Sequence, residues 1–184
     1  MNVYDFDKTI YNGDSTYDFY IYSLTHHPKV LLTVHKALFG AIKHYVFHKC
    51  TKTEFKEQMY TFLKYANAKQ EVARFWDKKQ HKIKKLYYNL KQDDDVIISA
   101  SPTFLLEEIC KRQNIKYLIA SNVDINTGKY DGINCYGDEK VKRFYEVFSD
   151  GKINDFYSDS YSDSPLAKIS QRAFLVTKEN VTPW

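Results

Sequence analysis

The sequence predicts an α/β protein: a three-layer core with a parallel sheet, and an all-helical segment inserted after the first strand. Two features predict this architecture. From residue 92 onward, short apolar runs alternate with segments of helical spacing, which is typical of parallel strands joined by helices. Between residues 14 and 91, apolar side chains recur every three or four positions, which is the period of amphipathic helices.

Short apolar runs mark the strands of the core. The first run is Val3-Tyr4, and Val96-Ile97-Ile98 has the uninterrupted apolar character of a buried parallel strand. Two more strands are expected at 117–120 and 155–158, and a last one at 173–176. Glycine turns within 121–136 favour a β-hairpin there.

Serine–proline pairs and helical spacing mark the helices of the core. Ser101-Pro102 has the form of an N-cap followed by the first residue of a helix, which is expected to run to about Gln113. A second helix is expected over 139–148, and Ser164-Pro165 begins a short third one. These elements place the core at residues 1–13 and 92–184.

The inserted segment, residues 14–91, contains only helical patterns, at 16–24, 29–48, 52–66 and 69–90. Lys36, Lys43 and several histidines interrupt the apolar helix at 29–48, so this helix is too polar to span a membrane. Peripheral contact of the basic, amphipathic helix with a membrane surface is the less favoured alternative.

Charge is distributed unevenly along the chain, although the net charge is only +4. Residues 26–91 hold 15 Lys and Arg against 4 Asp and Glu, while the remainder of the chain is acidic. A basic surface beside an acidic site favours an anionic substrate, and a solvated lysine face on the helices explains the same count equally well. Nucleic acid is not expected as a partner, because the basic segment carries no recognised reading motif.

Cysteine content and the start of the chain favour a cytoplasmic location. The three cysteines have no metal-binding spacing, and their odd number argues against a disulfide framework. We also expect no signal peptide, because the first strand begins at residue 3. The sequence does not indicate an oligomeric state.

Two carboxylates, Asp5 and Asp7, follow the first strand. In an extended chain, side chains two positions apart point to the same side, so both are expected to project from the carboxyl end of the strand. Open α/β sheets bind their ligands at that end. Because two carboxylates held close together repel each other, the pair predicts a bound divalent cation.

Four short segments stand at strand ends or helix starts: Asp5-x-Asp7-x-Thr9, Ser99, the stretch 137–140 that ends in Lys140, and the stretch from Asp159 to Asp163. In this order they resemble the four motifs of the haloacid dehalogenase-like (HAD) phosphohydrolase superfamily. The resemblance covers essentially the whole chain. Stretches 98–102 and 157–166 are similar to ones common in the phosphoserine-phosphatase-like branch.

The resemblance implies a fold and an activity. The fold would be a Rossmann-like HAD core with a helical cap in the C1 position. The activity would be Mg²⁺-dependent hydrolysis of a small phosphorylated substrate. Asp5 would be the nucleophile that forms an aspartyl-phosphate, and Asp7 the general acid and base. Mg²⁺ would be held by Asp5, by Asp159 and by the backbone carbonyl of Asp7.

Other residues near the motifs have competing interpretations. Ser99 and Lys140 would bind the phosphate. Asp163 would orient a water molecule or Lys140 from outside the ligand shell of the metal, or would carry a favourable charge at the start of the helix beside it. Ser101 is predicted to be a plain N-cap, because Pro102 follows it directly.

The substrate is left open by the sequence. Phosphoserine is one candidate, since Asp14 lies where phosphoserine phosphatases carry a glutamate that recognises the amine of the substrate. Asp14 also has the position of an N-cap for the helix that follows. The arginine and phenylalanine of a serine site have no identifiable counterparts in 16–91.

Two alternative functions are also considered: a phosphatase with another kind of substrate, and a protein that is not an enzyme. The first is a lipid-phosphate phosphatase of the phosphatidylglycerophosphatase C type, which the helix at 29–48, the stretch 137–140 and the ending 174–177 resemble. The second is a catalytically silent module that binds an anionic partner through the basic helices. The presence of all four motifs favours an enzyme over the silent module.

Overall fold

A computed structural model describes all 184 residues of the chain, which form one six-stranded sheet and nine α-helices. The strands are β1 (Val3–Tyr4), β2 (Val96–Pro102), β3 (Tyr117–Ser121), β4 (Ile153–Ser158), β5 (Ser170–Thr177) and β6 (Asn180–Pro183). The helices are α1 (Ser15–His26), α2 (Val34–Ala41), α3 (Lys52–Tyr60), α4 (Leu63–Ala66), α5 (Ala68–Lys79), α6 (Lys85–Leu90), α7 (Thr103–Arg112), α8 (Asp138–Val147) and α9 (Ser164–Ile169).

The strands lie in the order β3-β2-β1-β4-β5-β6. The first five are parallel, and Val3 of β1 pairs with Val96 of β2 on one side and with Phe156 of β4 on the other. β6 is antiparallel to β5 and forms the edge of the sheet. The prediction that the strand at 173–176 is the last one is therefore wrong, because the chain turns at Lys178 and pairs back on β5.

Side chains that alternate along the strands divide the hydrophobic core between the two faces of the sheet. Tyr4 of β1 belongs to the larger cluster, which includes Trp76 of α5 and Leu106 of α7. Val3 belongs to the smaller cluster, together with Phe144 of α8. Because both faces are covered by helices, the predicted three-layer α/β fold is confirmed.

All regular elements between β1 and β2 are helices. Three of the four helices predicted there are interrupted, and the one expected at 69–90 is divided into α5, a 3₁₀ turn at Gln80–Lys82 and α6. The helix expected at 29–48 is three pieces: a 3₁₀ helix at Pro28–Thr33, α2, and a π-helical turn at Ile42–Val46. The helix expected at 52–66 is interrupted after Tyr60, and Asn67, with φ +47°, ends α4 in the left-handed conformation. None of the helices combines the length and the apolar character that crossing a lipid bilayer requires.

The β-hairpin predicted at 121–136 is limited to a short antiparallel pairing without regular strands, in which Asp131 N–H donates to the carbonyl oxygen of Asn122 at 2.9 Å. Only an isolated bridge joins Val123 to Tyr130. The loop packs against α3, where the backbone N–H of Tyr130 donates to the Glu57 carboxylate at 3.1 Å. The backbone of Gly128 lies so close to α3 that a Cβ atom there would be 2.4 Å from the carbonyl oxygen of Tyr60.

This close approach makes Gly128 sensitive to substitution. Gly128→Ala is expected to lower the free energy of unfolding by about 3 kcal/mol, because a side chain at φ +75° is strained and also overlaps Tyr60. Gly132→Ala is the matched control, since Gly132 has φ +93° with nothing within 4 Å, and should cost about 1 kcal/mol. Urea unfolding measures both, and equal losses would contradict the contact with α3.

Candidate active site

A cavity of about 410 Å³ opens at the carboxyl ends of β1, β2 and β4. β1 lies between β2 and β4, because the chain runs from β1 to β2 and β3 on one side and then returns to place β4 and β5 on the other side. A crevice at this switch point is where open α/β sheets bind ligands. The residues that the sequence singled out for the site all line the cavity: Asp5, Asp7, Asp14, Ser99, Lys140, Asp159 and Asp163.

Lys140 joins two of the predicted acids at the bottom of the cavity. Its Nζ donates to Asp5 Oδ1 at 2.7 Å and to Asp163 Oδ2 at 2.8 Å. The Lys140 side chain is only 2% exposed, so the ion pairs are shielded from water. Asp5 follows β1, Lys140 lies in the first turn of α8, and Asp163 precedes α9. One ammonium group thus holds three elements together.

Asp163 is held by Lys140 and by the preceding strand. Its Oδ2 also accepts a hydrogen bond from Ser158 Oγ at 2.7 Å. The side chain makes no capping bond to α9, although the residue stands at the N-cap position. Oδ1 is buried and has no hydrogen-bond partner. Asp163 therefore contacts Lys140 directly, and its predicted role stays a prediction.

Asp7 is fixed by two donors from outside β1. Oδ1 accepts from the backbone N–H of Ser15 at 2.6 Å, and Oδ2 accepts from Ser101 Oγ at 2.5 Å. Directly after Asp7 the chain turns sharply, because Lys8 adopts the left-handed conformation with φ +60°. Asp7 and Asp5 therefore both line the cavity, but each carboxylate has its own hydrogen-bond partners.

The prediction of Ser101 as an N-cap is wrong. β2 continues through Pro102, and α7 begins at Thr103. Ser101 Oγ binds Asp7, and its backbone N–H donates to Ser99 Oγ at 3.1 Å. The sequence did carry a signal: Ser99 and Ser101 are two apart at a strand end, as Asp5 and Asp7 are.

Asp159 stands at the end of β4, and Thr9 fixes its backbone. The N–H of Asp159 donates to Thr9 Oγ1 at 2.9 Å. Thr9 itself is buried, with 1% of its surface exposed. This bond ties the loop after β4 to the loop after β1, and it brings the Asp159 carboxylate to the same cavity as Asp5.

Burial dominates the electrostatics of the acids. It raises the pKa of Asp7 to about 6, and it raises the pKa of Asp5 above its ordinary value even against the attraction of Lys140. Burial also raises the pKa of Asp159. Burial alone would lower the pKa of Lys140, but the attraction of the Asp5 and Asp163 carboxylates is larger than this effect. The pKa of the ammonium is therefore raised. Four carboxylates lie around the Lys140 ammonium, and the side chains of Lys8, Lys52 and Lys56 line the rest of the cavity.

Two of the inserted helices form the opposite wall of the cavity. Lys56 of α3 reaches the end of β2, where its Nζ donates to the carbonyl oxygen of Ala100 at 2.9 Å. Burial lowers the pKa of Lys56 to about 8. Phe55 and Met59 of the same helix line the cavity with it. Asp14 lines it too, while its Oδ1 caps α1 by accepting from the N–H of Tyr17 at 2.9 Å.

Lys56 was not singled out from the sequence. It is one of 15 basic residues in 26–91, and helical spacing alone places many of them on polar faces. Only the position of α3 over β2 identifies which lysine enters the cavity. Phe55 and Lys56 line the cavity, whereas Arg74, the one arginine of 16–91, does not.

Comparison with known proteins agrees with this arrangement. The model of the haloacid dehalogenase-like hydrolase family matches residues 3–168, which is most of the chain. The chain belongs to this family. The HAD assignment predicted from the four motifs is thereby confirmed, and with it the prediction that the protein is an enzyme.

Solved structures with the same fold support the assignment. A protein of unknown function from Bordetella pertussis Tohama I has 19% sequence identity and a TM-score of 0.75, with 94% of this chain and 87% of that chain covered. A phosphoserine phosphohydrolase-like protein from Francisella tularensis subsp. tularensis SCHU S4 has 14% identity and a TM-score of 0.63, covering 94% and 86%.

A third structure with the same fold is a phospho-aspartyl intermediate analogue of phosphoserine phosphatase. It has 15% identity and a TM-score of 0.51, with 93% of this chain and 83% of that chain covered. No curated protein matches the sequence. At these low sequence identities, the structural similarity shows that the folds are alike.

The buried ion pairs of this HAD protein make Lys140 important for stability. Lys140→Met is expected to lower the free energy of unfolding by about 3 kcal/mol, because it leaves Asp5 and Asp163 buried without their cation. Lys142→Met is the matched control, since Lys142 is exposed on the same helix and its Nζ lies 3.8 Å from Glu146. Urea unfolding in buffer with a chelator compares the two. An unchanged midpoint for Lys140→Met would contradict this interpretation.

Proposed function

We propose that the protein is a Mg²⁺-dependent phosphatase that hydrolyses phosphomonoesters through a covalent aspartyl-phosphate on Asp5. The observation that carries this proposal is the position of Asp5, which follows the central strand at the bottom of the cavity and is held there by Lys140. Lys140 binds one carboxylate oxygen of Asp5, and the other accepts no hydrogen bond from the protein. That oxygen is available to attack phosphorus.

In the first step, the free oxygen of Asp5 attacks the phosphorus of the substrate, and the bond from phosphorus to the ester oxygen breaks. The leaving alkoxide takes a proton from Asp7 and is released as the alcohol. Asp7 is suited to this role because Ser15 and Ser101 hold its carboxyl group in a fixed orientation at the cavity.

In the second step, Asp7 accepts a proton from a water molecule, and the water oxygen attacks the phosphorus of the aspartyl-phosphate. The acyl phosphate bond breaks, inorganic phosphate leaves, and the Asp5 carboxylate is regenerated. Lys140 and Ser99 offer donors for the phosphate oxygens during both steps. Asp163 keeps the Lys140 ammonium in place through its 2.8 Å contact.

The residues at the cavity fit Mg²⁺. The carboxylates of Asp5 and Asp159, with the backbone carbonyl of Asp7, are hard oxygen donors of the kind this ion prefers. The chain holds no cluster of three His, Cys, Asp or Glu side chains with metal-binding geometry, and Mg²⁺ does not need one, since waters complete its shell. Asp163 Oδ1 is buried without a partner and would accept a hydrogen bond from such a water. Bound there, Mg²⁺ would neutralise charge on the phosphate.

The segment 14–91 is proposed to act as a cap over the core formed by 1–13 and 92–184. Both parts line the cavity, since Lys56 and Phe55 face it from the segment, and Asp5 and Asp159 face it from the core. Hinge motion of the cap would admit the substrate and then exclude water from the reaction.

A small phosphometabolite that carries further charges, such as phosphoserine, matches the charges on the cap wall, the part of the cavity that residues 14–91 line. Lys56 offers a cation to a second anionic group of the substrate, and Asp14 offers a carboxylate oxygen to an amine. The capping bond to Tyr17 uses only Oδ1 of Asp14. Asp14 can therefore cap α1 and contact a substrate at the same time.

Lipid phosphates remain the second candidate substrates, because Tyr45, Phe55 and Met59 give the cap wall an apolar part. Release of inorganic phosphate from a panel of phosphorylated metabolites and lipid phosphates distinguishes the two substrate classes. A chain that releases no phosphate from any compound with Mg²⁺ present would instead be the silent anion-binding module.

Asp5→Asn tests the covalent mechanism. With para-nitrophenyl phosphate and Mg²⁺, the variant is expected to lose at least about a thousandfold in kcat, because an amide does not attack phosphorus. Asp150→Asn is the matched control, since Asp150 is exposed on the surface away from the cavity, and should retain full activity. Omission of Mg²⁺ should abolish turnover of the unaltered protein. Comparable turnover by Asp5→Asn would exclude Asp5 as the nucleophile.

The lowered pKa of Lys56 predicts that substrate binding depends on pH. Because its pKa is lowered to about 8, its charge is lost as the pH rises through that value. The KM for phosphoserine should therefore rise above pH 8 in the unaltered protein. In Lys56→Met the KM should be high and independent of pH in this range, while kcat changes little.

Lys64→Met provides the control for this measurement, because Lys64 is an exposed lysine of the same inserted segment. It should keep both the KM and the pH profile of the unaltered protein. A Lys56→Met variant with an unchanged KM at pH 7 would exclude Lys56 from substrate binding.

A further inference from the structure

The cap carries an apolar surface that nothing in the molecule covers. We name it the outer patch. Its large apolar side chains lie on consecutive turns of the segment that contains α2 and are between 39% and 65% exposed. They are Leu31, Leu32, Leu38, Phe39, Ile42, Val46 and Phe47.

The packing of α2 explains why the outer patch is exposed. α2 lies against α3 through small residues, since Gly40 is buried and a Cβ atom there would be only 2.8 Å from Cβ of Gln58. Ala37 on the same side packs against the main hydrophobic cluster. The helix therefore directs its small side chains inward and leaves Leu38 and Phe39 in solvent. An exposed apolar patch of this kind is typical of an interaction site.

The segment that carries the outer patch holds charges of one sign, although Glu54 of the neighbouring α3 interacts electrostatically with Lys43. Between residues 26 and 53 the chain contains no Asp or Glu. Five lysines occur in the same stretch, and all are exposed: Lys29, Lys36, Lys43, Lys49 and Lys52. A partner that binds this surface must therefore offer both apolar groups and negative charge.

We propose that the outer patch docks on an anionic lipid bilayer. The apolar side chains would enter the boundary between headgroups and acyl chains, and the lysines would contact anionic headgroups. A second copy of the chain fits less well, because a twofold interface would bring together two segments that each hold five lysines and no acid. The attachment is peripheral, since no helix is suited to span the bilayer.

Docking would bring the cavity to the lipid surface. Tyr45 belongs to the π-helical turn between Ile42 and Val46 and also lines the cavity. The docked face and the mouth of the cavity are thus adjacent. The proposal does not rest on hydrolysis, because binding is measured on vesicles without any phosphomonoester.

Vesicle sedimentation tests the proposal with the full chain. Vesicles of phosphatidylcholine with 30% phosphatidylglycerol (roughly the anionic fraction that gives a clear surface potential) are compared with pure phosphatidylcholine. Leu38→Ser combined with Phe39→Ser removes apolar contacts, and Lys36→Glu combined with Lys43→Glu reverses charge. The matched control is Ile133→Ser combined with Val147→Ser, since these residues are 62% and 57% exposed and lie outside the segment.

The proposal expects binding to the anionic vesicles, weaker binding to pure phosphatidylcholine, and further weakening by salt. Each test variant should lower the partition coefficient at least about tenfold, and the control should leave it unchanged. Thermal unfolding checks that all variants are folded. Absence of binding at low salt, or equal loss in the control, would overturn the proposal. Self-association that Leu38→Ser and Phe39→Ser abolish without vesicles would overturn it in favour of a second copy.

Discussion

The arrangement of the site depends on the buried ammonium of Lys140 between Asp5 and Asp163. Charges are buried in proteins only when they are paired, so this contact fixes how α8 and α9 sit against the end of β1. Lys140 does not pair with Asp7 or Asp159, whose carboxylates line the same cavity as Lys8, Lys52 and Lys56. Two carboxylates without a paired ammonium beside Asp5 are the kind of site that a divalent cation stabilises, which would link the electrostatics of the fold to the chemistry proposed for it.

Much of the site was predictable because parallel strands end at one edge of a sheet. Asp5, Ser99 and Asp159 each follow an apolar run, and the sequence is enough to locate such runs. Once the strands are assigned as parallel, residues more than 150 positions apart must converge. Lys140 was singled out through the resemblance to HAD motifs, and its 2.7 Å contact with Asp5 is seen only in the structure.

Other features were not predictable, because they depend on packing between segments. Ser101 has a valid local signal for an N-cap, but its hydrogen bond to Asp7 and the continuation of β2 outweigh that signal. The turns in 121–136 suit a hairpin, yet its pairing stays short and Gly128 packs on α3. Helical spacing likewise predicts a helix over Lys56 but does not tell which of its faces meets the cavity.

The helix α3 relates the two functions proposed for the cap. On one side it presents Phe55 and Lys56 to the cavity, and on another it contacts α2 at Gly40 through Gln58. Because the contact at Gly40 is so close, α2 has no room to turn its large side chains inward, and they remain at the surface. The same packing that places Lys56 over the acids therefore exposes Phe39. In the proposed function, the reaction takes place at the carboxyl ends of the strands, whereas the inserted helices would select the substrate and the location of the protein.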